Sequence, residues 1–120
     1  MGEDQINMTQ SLDIVRIGMV GVGYIGQIAH LTNYMKTEDC EVTAIAEIRP
    51  GLREAVQAHY GIPEAFASHE ELLREADVDA VIAVTRRHHV GPVALDCLQA
   101  GKHLLTEKPM AATLQQAEKL

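Results

Sequence analysis

Residues 14–26 read IVRIGMVGVGYIG. Ile14 to Val20 is a short apolar run with one charge, and it leads straight into Gly21. Such a run reads as a buried strand ending in a tight turn. The turn carries Gly21-Val22-Gly23-Tyr24-Ile25-Gly26, a G-x-G-x-x-G motif. Gly21 permits the turn, Gly23 lets a pyrophosphate approach the backbone, and Gly26 lets the next helix pack on the strand. The N-terminus of that helix offers unpaired N–H groups and a partial positive charge to phosphates. The motif is therefore expected to bind a dinucleotide, with Tyr24 and Ile25 in the binding turn.

Outward from the turn, strands and helices alternate. Ile25, Ile28, Ala29, Thr32 and Met35 repeat at helical spacing and predict one apolar face. Val42 to Ile48 predicts a second strand. Pro50 suits a helix start and Gly61 its stop, with Leu52, Ala55, Val56, His59 and Tyr60 between them. Ala65 to Ala67 predicts a short strand, and Ser68 with Glu71 a capping box. Val78 to Thr85 predicts a buried strand. Val90, Val93, Ala94, Cys97 and Leu98 follow the spacing of a buried helix face, closed by Gly101. His103 to Thr106 predicts a fifth strand. Thr113 and Gln116 begin a last helix, with Leu114, Ala117 and Leu120 on its apolar side. Alternation of this kind means an α/β fold, a doubly wound parallel sheet with right-handed crossovers. The reading gives one Rossmann nucleotide-binding domain over residues 14–120, incomplete at its C-terminal end, after a loose polar tail, residues 1–13.

A chain of 120 residues forms one domain. Ten Lys and Arg against 17 Asp and Glu give a net charge of -7. That charge argues against nonspecific binding to nucleic acid or to an anionic membrane. No run reaches the roughly 18 apolar residues of a membrane span, and residues 1–13 lack the apolar core of a secretory signal. Two cysteines, Cys40 and Cys97, make no disulfide framework, so a cytoplasmic setting is expected.

Glu47 closes the second predicted strand, about 20 residues past the glycine motif, where an acid can accept both ribose hydroxyls of the adenosine half. A carboxylate there repels the extra phosphate of NADP, so NAD is the expected cofactor and NADP the lesser one. Arg49 complicates the choice, because its guanidinium can stack on adenine or pair with that phosphate.

The second informative stretch, residues 78–111, reads VDAVIAVTRRHHVGPVALDCLQAGKHLLTEKPMA. Together with residues 14–26 it resembles the Gfo/Idh/MocA family of oxidoreductases, most specifically in the run A-G-K-H-x-x-x-E-K-P, Ala100 to Pro109. The resemblance covers nearly the whole chain. It implies an N-terminal Rossmann domain joined to a larger α/β domain that binds substrate and makes oligomer contacts. It implies hydride transfer between a nicotinamide cofactor and a sugar, cyclitol or related polyol. It places Lys108 beside the nicotinamide and the reacting hydroxyl, Glu107 just before it, and a proline that often follows a cis bond at Pro109. An ammonium at that place can stabilise a developing alkoxide and relay its proton. Without the resemblance, Lys108 reads as a solvated lysine beside Glu107.

The chain departs from the family pattern after the fourth strand. Where the family commonly has T-P-N-x-x-H, Thr85 is kept, but Arg86, Arg87 and Val90 stand at the proline, asparagine and histidine places. Thr85 and Arg86 are expected near the cofactor, Arg86 or Arg87 on the pyrophosphate or an anionic substrate group, or else free in solvent. His88 is expected to face the same pocket and His89 to be exposed. Neither makes a metal site, since adjacent helical residues diverge and no further ligand joins them at a known spacing. His30, His59 and His69 call for no special role, and Cys97 reads as a small core residue. The further acid and histidine that the family uses on its second domain have no counterpart here. The expected activity is thus the nucleotide-binding part of an NAD(P)-dependent oxidoreductase, and this chain alone is expected to be inactive. The other reading is a non-catalytic dinucleotide-binding module.

Overall fold

The computed structural model describes residues 14–120. The expected tail, residues 1–13, lies outside them. Five strands form one parallel sheet: β1 (Val15–Val20), β2 (Cys40–Ala46), β3 (Glu64–Phe66), β4 (Ala80–Ala83) and β5 (His103–Thr106). Their order across the sheet is β3-β2-β1-β4-β5, so the chain reverses direction of travel between β1 and β4. That reversal opens a crevice beyond the carboxyl ends of β1 and β4.

Helices cover both faces. Helix α1 is π-helical over Gly26–Leu31 and α-helical over Thr32–Tyr34. Then come α2 (Pro50–Tyr60), α3 (His69–Glu75), α4 (Arg87–Gln99) and α5 (Leu114–Glu118). Side chains of β1 alternate between two cores, as strand period 2 requires. Ile17 and Met19 join Val22, Leu31, Val42, Ile45, Val56, Ile62 and Ile82 under α1 and α2. Val20 joins Ala44, Ala46, Leu72, Val78, Val81, Ala83, Val93 and Cys97 under α3 and α4. Gly18 faces this second core, and a Cβ there would lie 2.9 Å from Leu72 Cδ2, so the absent side chain is the space that Leu72 fills. Cys97 is fully buried, and burial pushes its thiol up to about 11, which leaves it a packing residue.

The Ser68 and Thr113 hydroxyls cap their helices as the spacing predicts, while Gln116 Oε1 accepts from Ala112 N–H at 3.2 Å in place of Thr113 N–H. Glu71 N–H donates to Ser68 Oγ at 3.2 Å and Gln116 N–H to Thr113 Oγ1 at 3.1 Å. Several expectations are corrected. The second strand ends at Ala46, not Ile48, because its pairing with β1 ends where Val20 meets Ala46. Ile48 is then 76% exposed. The fourth strand is Ala80–Ala83, shorter than Val78 to Thr85: its pairing with β1 and β5 runs over those four residues, and the Asp79 carboxylate just before them takes the Arg16 backbone N–H at 2.8 Å and its guanidinium.

The largest correction is α1. Thr32 N–H bonds to Gln27 O, five residues back, so the turn is wider than the α turn. The buried residues are Gly26 and Leu31, also five apart. The face expected from α spacing, with Ile25, Ile28 and Met35, points outward instead. The faces of α2 and α4 are narrower than expected too: Val56 is buried while Ala55 and His59 are exposed, and Leu98 lies at the rim.

Candidate functional site

A cleft of about 730 Å3 opens at the carboxyl ends of β1, β2 and β4. Its floor is Val20 with the glycine turn, Gly21, Gly23, Tyr24, Ile25 and Gly26. One wall is Ala46 to Arg49 with Ala67 to Glu70, and the other is Val84, Thr85, Arg86, His89, Pro92 and Val93.

The glycine turn is held by packing that leaves no room for side chains. Gly21 has φ +90, and a Cβ there would lie 2.1 Å from Val84 O. A Cβ at Gly26 would lie 2.6 Å from Gly21 O. Gly23 differs: a Cβ there would meet only Arg49 Nη2, at 3.4 Å, so its backbone faces the cleft. Gln27 fastens the turn from behind, its Nε2 donating to Val22 O at 2.9 Å. Sequence spacing had not singled out Gln27.

Glu47 is 5% exposed, the one buried charged side chain among the described residues. Its Oε1 accepts from Val22 N–H at 3.2 Å, which ties β2 to the glycine turn. Its Oε2 accepts from Arg49 N–H at 3.1 Å and Arg49 Nε at 2.9 Å. Burial by itself raises the Glu47 carboxyl, but the Arg49 guanidinium, the Arg49 and Val22 N–H groups and the Arg49 charge together outweigh it. The carboxyl is held below the usual carboxylate range and stays ionised. Arg49 thus stands over Gly23 with its charge already paired.

At the other wall, Arg86 is the N-cap residue of α4 and accepts His89 N–H at 2.8 Å. Thr85 Oγ1 is buried with no hydrogen-bond partner in the structure. Thr85 lines the cleft, and contact with a bound ligand is one way to satisfy this orphaned hydroxyl. With the Gly23 backbone facing the cleft and the ionised Glu47, it makes the cleft fit a dinucleotide: a ribose acceptor after β2, a phosphate approach after β1 and an unsatisfied hydroxyl after β4.

The structure brings Gly21, Gly23, Tyr24, Ile25, Gly26, Glu47, Arg49, Thr85 and Arg86 to this cleft. His88 lies outside its lining and His89 inside it. Glu107 and Lys108 also lie outside the lining, on the turn after β5. Lys108 is exposed, and its bond to Pro109 is cis. Glu107 is not simply a neighbour of Lys108: its Oε1 lies 2.7 Å from His30 Nε2 on α1. His69 also has partners, with Nδ1 at 2.8 Å from Glu70 and Nε2 at 2.8 Å from Asp96. Each ring nitrogen faces its own carboxylate, which is hydrogen bonding rather than convergence on one ion. No spacing rule pairs His30 with Glu107 or His69 with Asp96, so neither contact was legible in the sequence.

A parallel sheet, a glycine turn opening a helix and an acid at the end of the second strand define a Rossmann-type NAD-binding domain. A family model described as an oxidoreductase family with an NAD-binding Rossmann fold, Gfo/Idh/MocA, matches residues 15–120. The chain belongs to that family. It is 28% identical over 106 residues to the myo-inositol 2-dehydrogenase of Thermotoga maritima, covering 88% of this chain and 31% of that protein. It is 30% identical over 118 residues to a glycosyl hydrolase family 109 protein of a Shewanella strain, covering 91% of this chain and 26% of that protein. Among solved structures it is similar to the scyllo-inositol dehydrogenase of Lactobacillus casei with bound NAD(H) and scyllo-inositol. There the TM-score is 0.83 at 29% identity, covering 88% of this chain and 31% of that one. The chain therefore spans about a third or less of the length of these relatives. Among the described residues no helix is long and apolar enough to cross a membrane.

Proposed function

We propose that the cleft holds a nicotinamide dinucleotide, NAD in preference to NADP, and that the domain serves oxidation of a hydroxyl on a sugar, cyclitol or related polyol. The observation that carries the cofactor reading is Glu47, buried, ionised and bonded to the glycine turn. Its carboxylate accepts the adenosine ribose hydroxyls once Arg49 swings aside to cover the adenine. Gly21 and Gly26 set the turn, and the Gly23 backbone with Tyr24 and Ile25 takes the pyrophosphate at the start of α1. Thr85 Oγ1 donates to the ligand and so gains the partner it lacks. Arg86, at the cleft wall, neutralises phosphate or an anionic substrate group.

When bound, the nicotinamide supplies the hydride acceptor. Lys108 then serves at the reaction centre: its ammonium donates to the oxygen of the hydroxyl being oxidised and steadies the negative charge that develops there. Glu107 is ionised, so it acts beside Lys108 as a fixed negative charge rather than as a proton donor. The polyol substrate class is supported by the inositol dehydrogenases to which the chain is similar. The glycosyl hydrolase relative makes a sugar glycoside the competing substrate.

Calorimetric titration of the purified chain with NAD and with NADP tests the reading, after a circular dichroism melt has shown the sample folded. Saturable NAD binding, weakened by Glu47→Ala, is the expected result. A folded chain that binds neither cofactor overturns it.

A further inference from the structure

The turn that carries Lys108 is fastened to α1 by a contact that the nucleotide site itself does not need. Glu107 is fixed at two points. Its backbone N–H donates to Ala83 O at 3.2 Å, at the end of β4. Its side chain crosses to α1, where Oε1 meets His30 Nε2 at 2.7 Å. The His30 side chain is 14% exposed and that of Glu107 35%, so the contact is partly shielded from water. The His30 hydrogen bond holds the Glu107 carboxyl below the usual range, with the Lys108 N–H and the His30 and Lys108 charges adding to it. An ionised carboxylate only accepts, so the nitrogen facing it carries the hydrogen.

His30 lies inside the π-helical part of α1. Widened turns of this kind occur frequently at functional sites. The same helix begins at Gly26, which closes the glycine turn. One element thus bears the glycine turn at its start and grips the Lys108 turn near its middle.

We infer that His30 is a positioning residue: through Glu107 it sets the place of Lys108 and couples it to occupancy of the glycine turn. The inference rests on the proposed dinucleotide site. Filling the turn shifts the first residues of α1, and the short His30–Glu107 bond carries the shift to Lys108. A merely structural clip would stabilise the fold without that response.

The test uses nuclear magnetic resonance of the 120-residue chain. ADP is the first probe, because it lacks the nicotinamide half that would lie near Lys108, and NAD is the second. ADP is expected to shift the amide signals of both Gly23 and Lys108. In His30→Ala the Gly23 shift stays and the Lys108 shift is lost. His30→Gln, whose amide nitrogen can stand in for Nε2, restores it. The Glu107 carboxyl, followed by carbon labelling, titrates below the usual value of about 4.3 in the parent and returns towards it in His30→Ala. Should His30→Ala melt below the working temperature, Glu107→Ala cuts the same contact from its more exposed side. A Gly23 shift with an undiminished Lys108 response in these variants overturns the coupling alone. No Gly23 shift with ADP or NAD overturns the nucleotide site, and the coupling falls with it.

Discussion

Arg49 Nε donates to Glu47 Oε2 at 2.9 Å, so the carboxylate best placed for a ribose is already held by a cation of its own strand end. The guanidinium also stands over Gly23. On the proposed reading, cofactor binding rearranges this pair, and the outcome bears on the balance between NAD and NADP. With Arg49 turned outward, its charge offsets repulsion between Glu47 and a ribose phosphate. Arg49→Ala is therefore expected to weaken NADP binding by about 10-fold, the worth of one charge-assisted contact. NAD should change much less. Parallel titrations with the two cofactors check this, and an equal loss for both would falsify it.

Acid sensitivity follows from the carboxylates that the fold holds ionised. Glu47, Asp79 and Glu107 all have lowered values in the folded chain. A lowered folded value means stability that is present above the unfolded value and lost as pH falls through the folded one. Thermal melts should thus be flat in this respect above about pH 5 and decline steadily below about pH 4. Glu47→Gln should soften the decline. A melt unchanged between pH 5 and pH 3 would rule the assignment out.

Two glycines of the turn are sterically required. Alanine at Gly21 puts Cβ 2.1 Å from Val84 O at φ +90, and at Gly26 it puts Cβ 2.6 Å from Gly21 O. Each substitution should cost about 2–4 kcal/mol of stability, since backbone cannot yield as a side chain can. Gly51 is the control. It lies in the first turn of α2 with nothing within 4 Å of an added Cβ. Gly51→Ala should be neutral or gain up to about 1 kcal/mol. Urea unfolding of the three variants decides the point.

Gly18 of β1 and Leu72 of α3 share one volume on the same face of the sheet. Leu72 is fully buried, and its Cδ2 lies 2.9 Å from where a Gly18 Cβ would be. Leu72→Ala should cost about 2–5 kcal/mol. Gly18→Ala should be less harmful in a Leu72→Val background than in the parent, because the smaller side chain yields the space. Additive losses in the double-mutant cycle would show that the two residues do not compete.

Lys108 is judged on turnover, in a form of the protein that carries out the reaction. Lys108→Ala should lower kcat by about 10²–10⁴, the usual worth of a positioned proton-transfer group, with NAD binding nearly unchanged. Retained turnover would remove Lys108 from the reaction centre.

The sequence was most legible where local spacing carries the signal. The glycine turn, the caps at Ser68 and Thr113 and the parallel alternation follow from a few adjacent residues. It misled where a regular period was assumed. The face of α1 built from Ile25, Ile28 and Met35 presupposes the α turn, and an i→i+5 bond at Thr32 turns that face to solvent. His88 was expected at the pocket and His89 away from it, but His89 lines the cleft and His88 does not, because which of two adjacent residues enters a cleft depends on where α4 starts and how it packs.

The residues alone determined the class of fold and the place of the cleft, since glycine geometry and strand hydrophobicity act over short stretches of chain. Only the tertiary structure decided what each polar side chain meets. Glu47 finds Arg49 and Val22, while Glu107 finds His30 from 77 residues away. The contacts with Val22 and His30 depend on how β1, β2 and β5 bring separate turns to one end of the sheet, and no local pattern encodes that meeting.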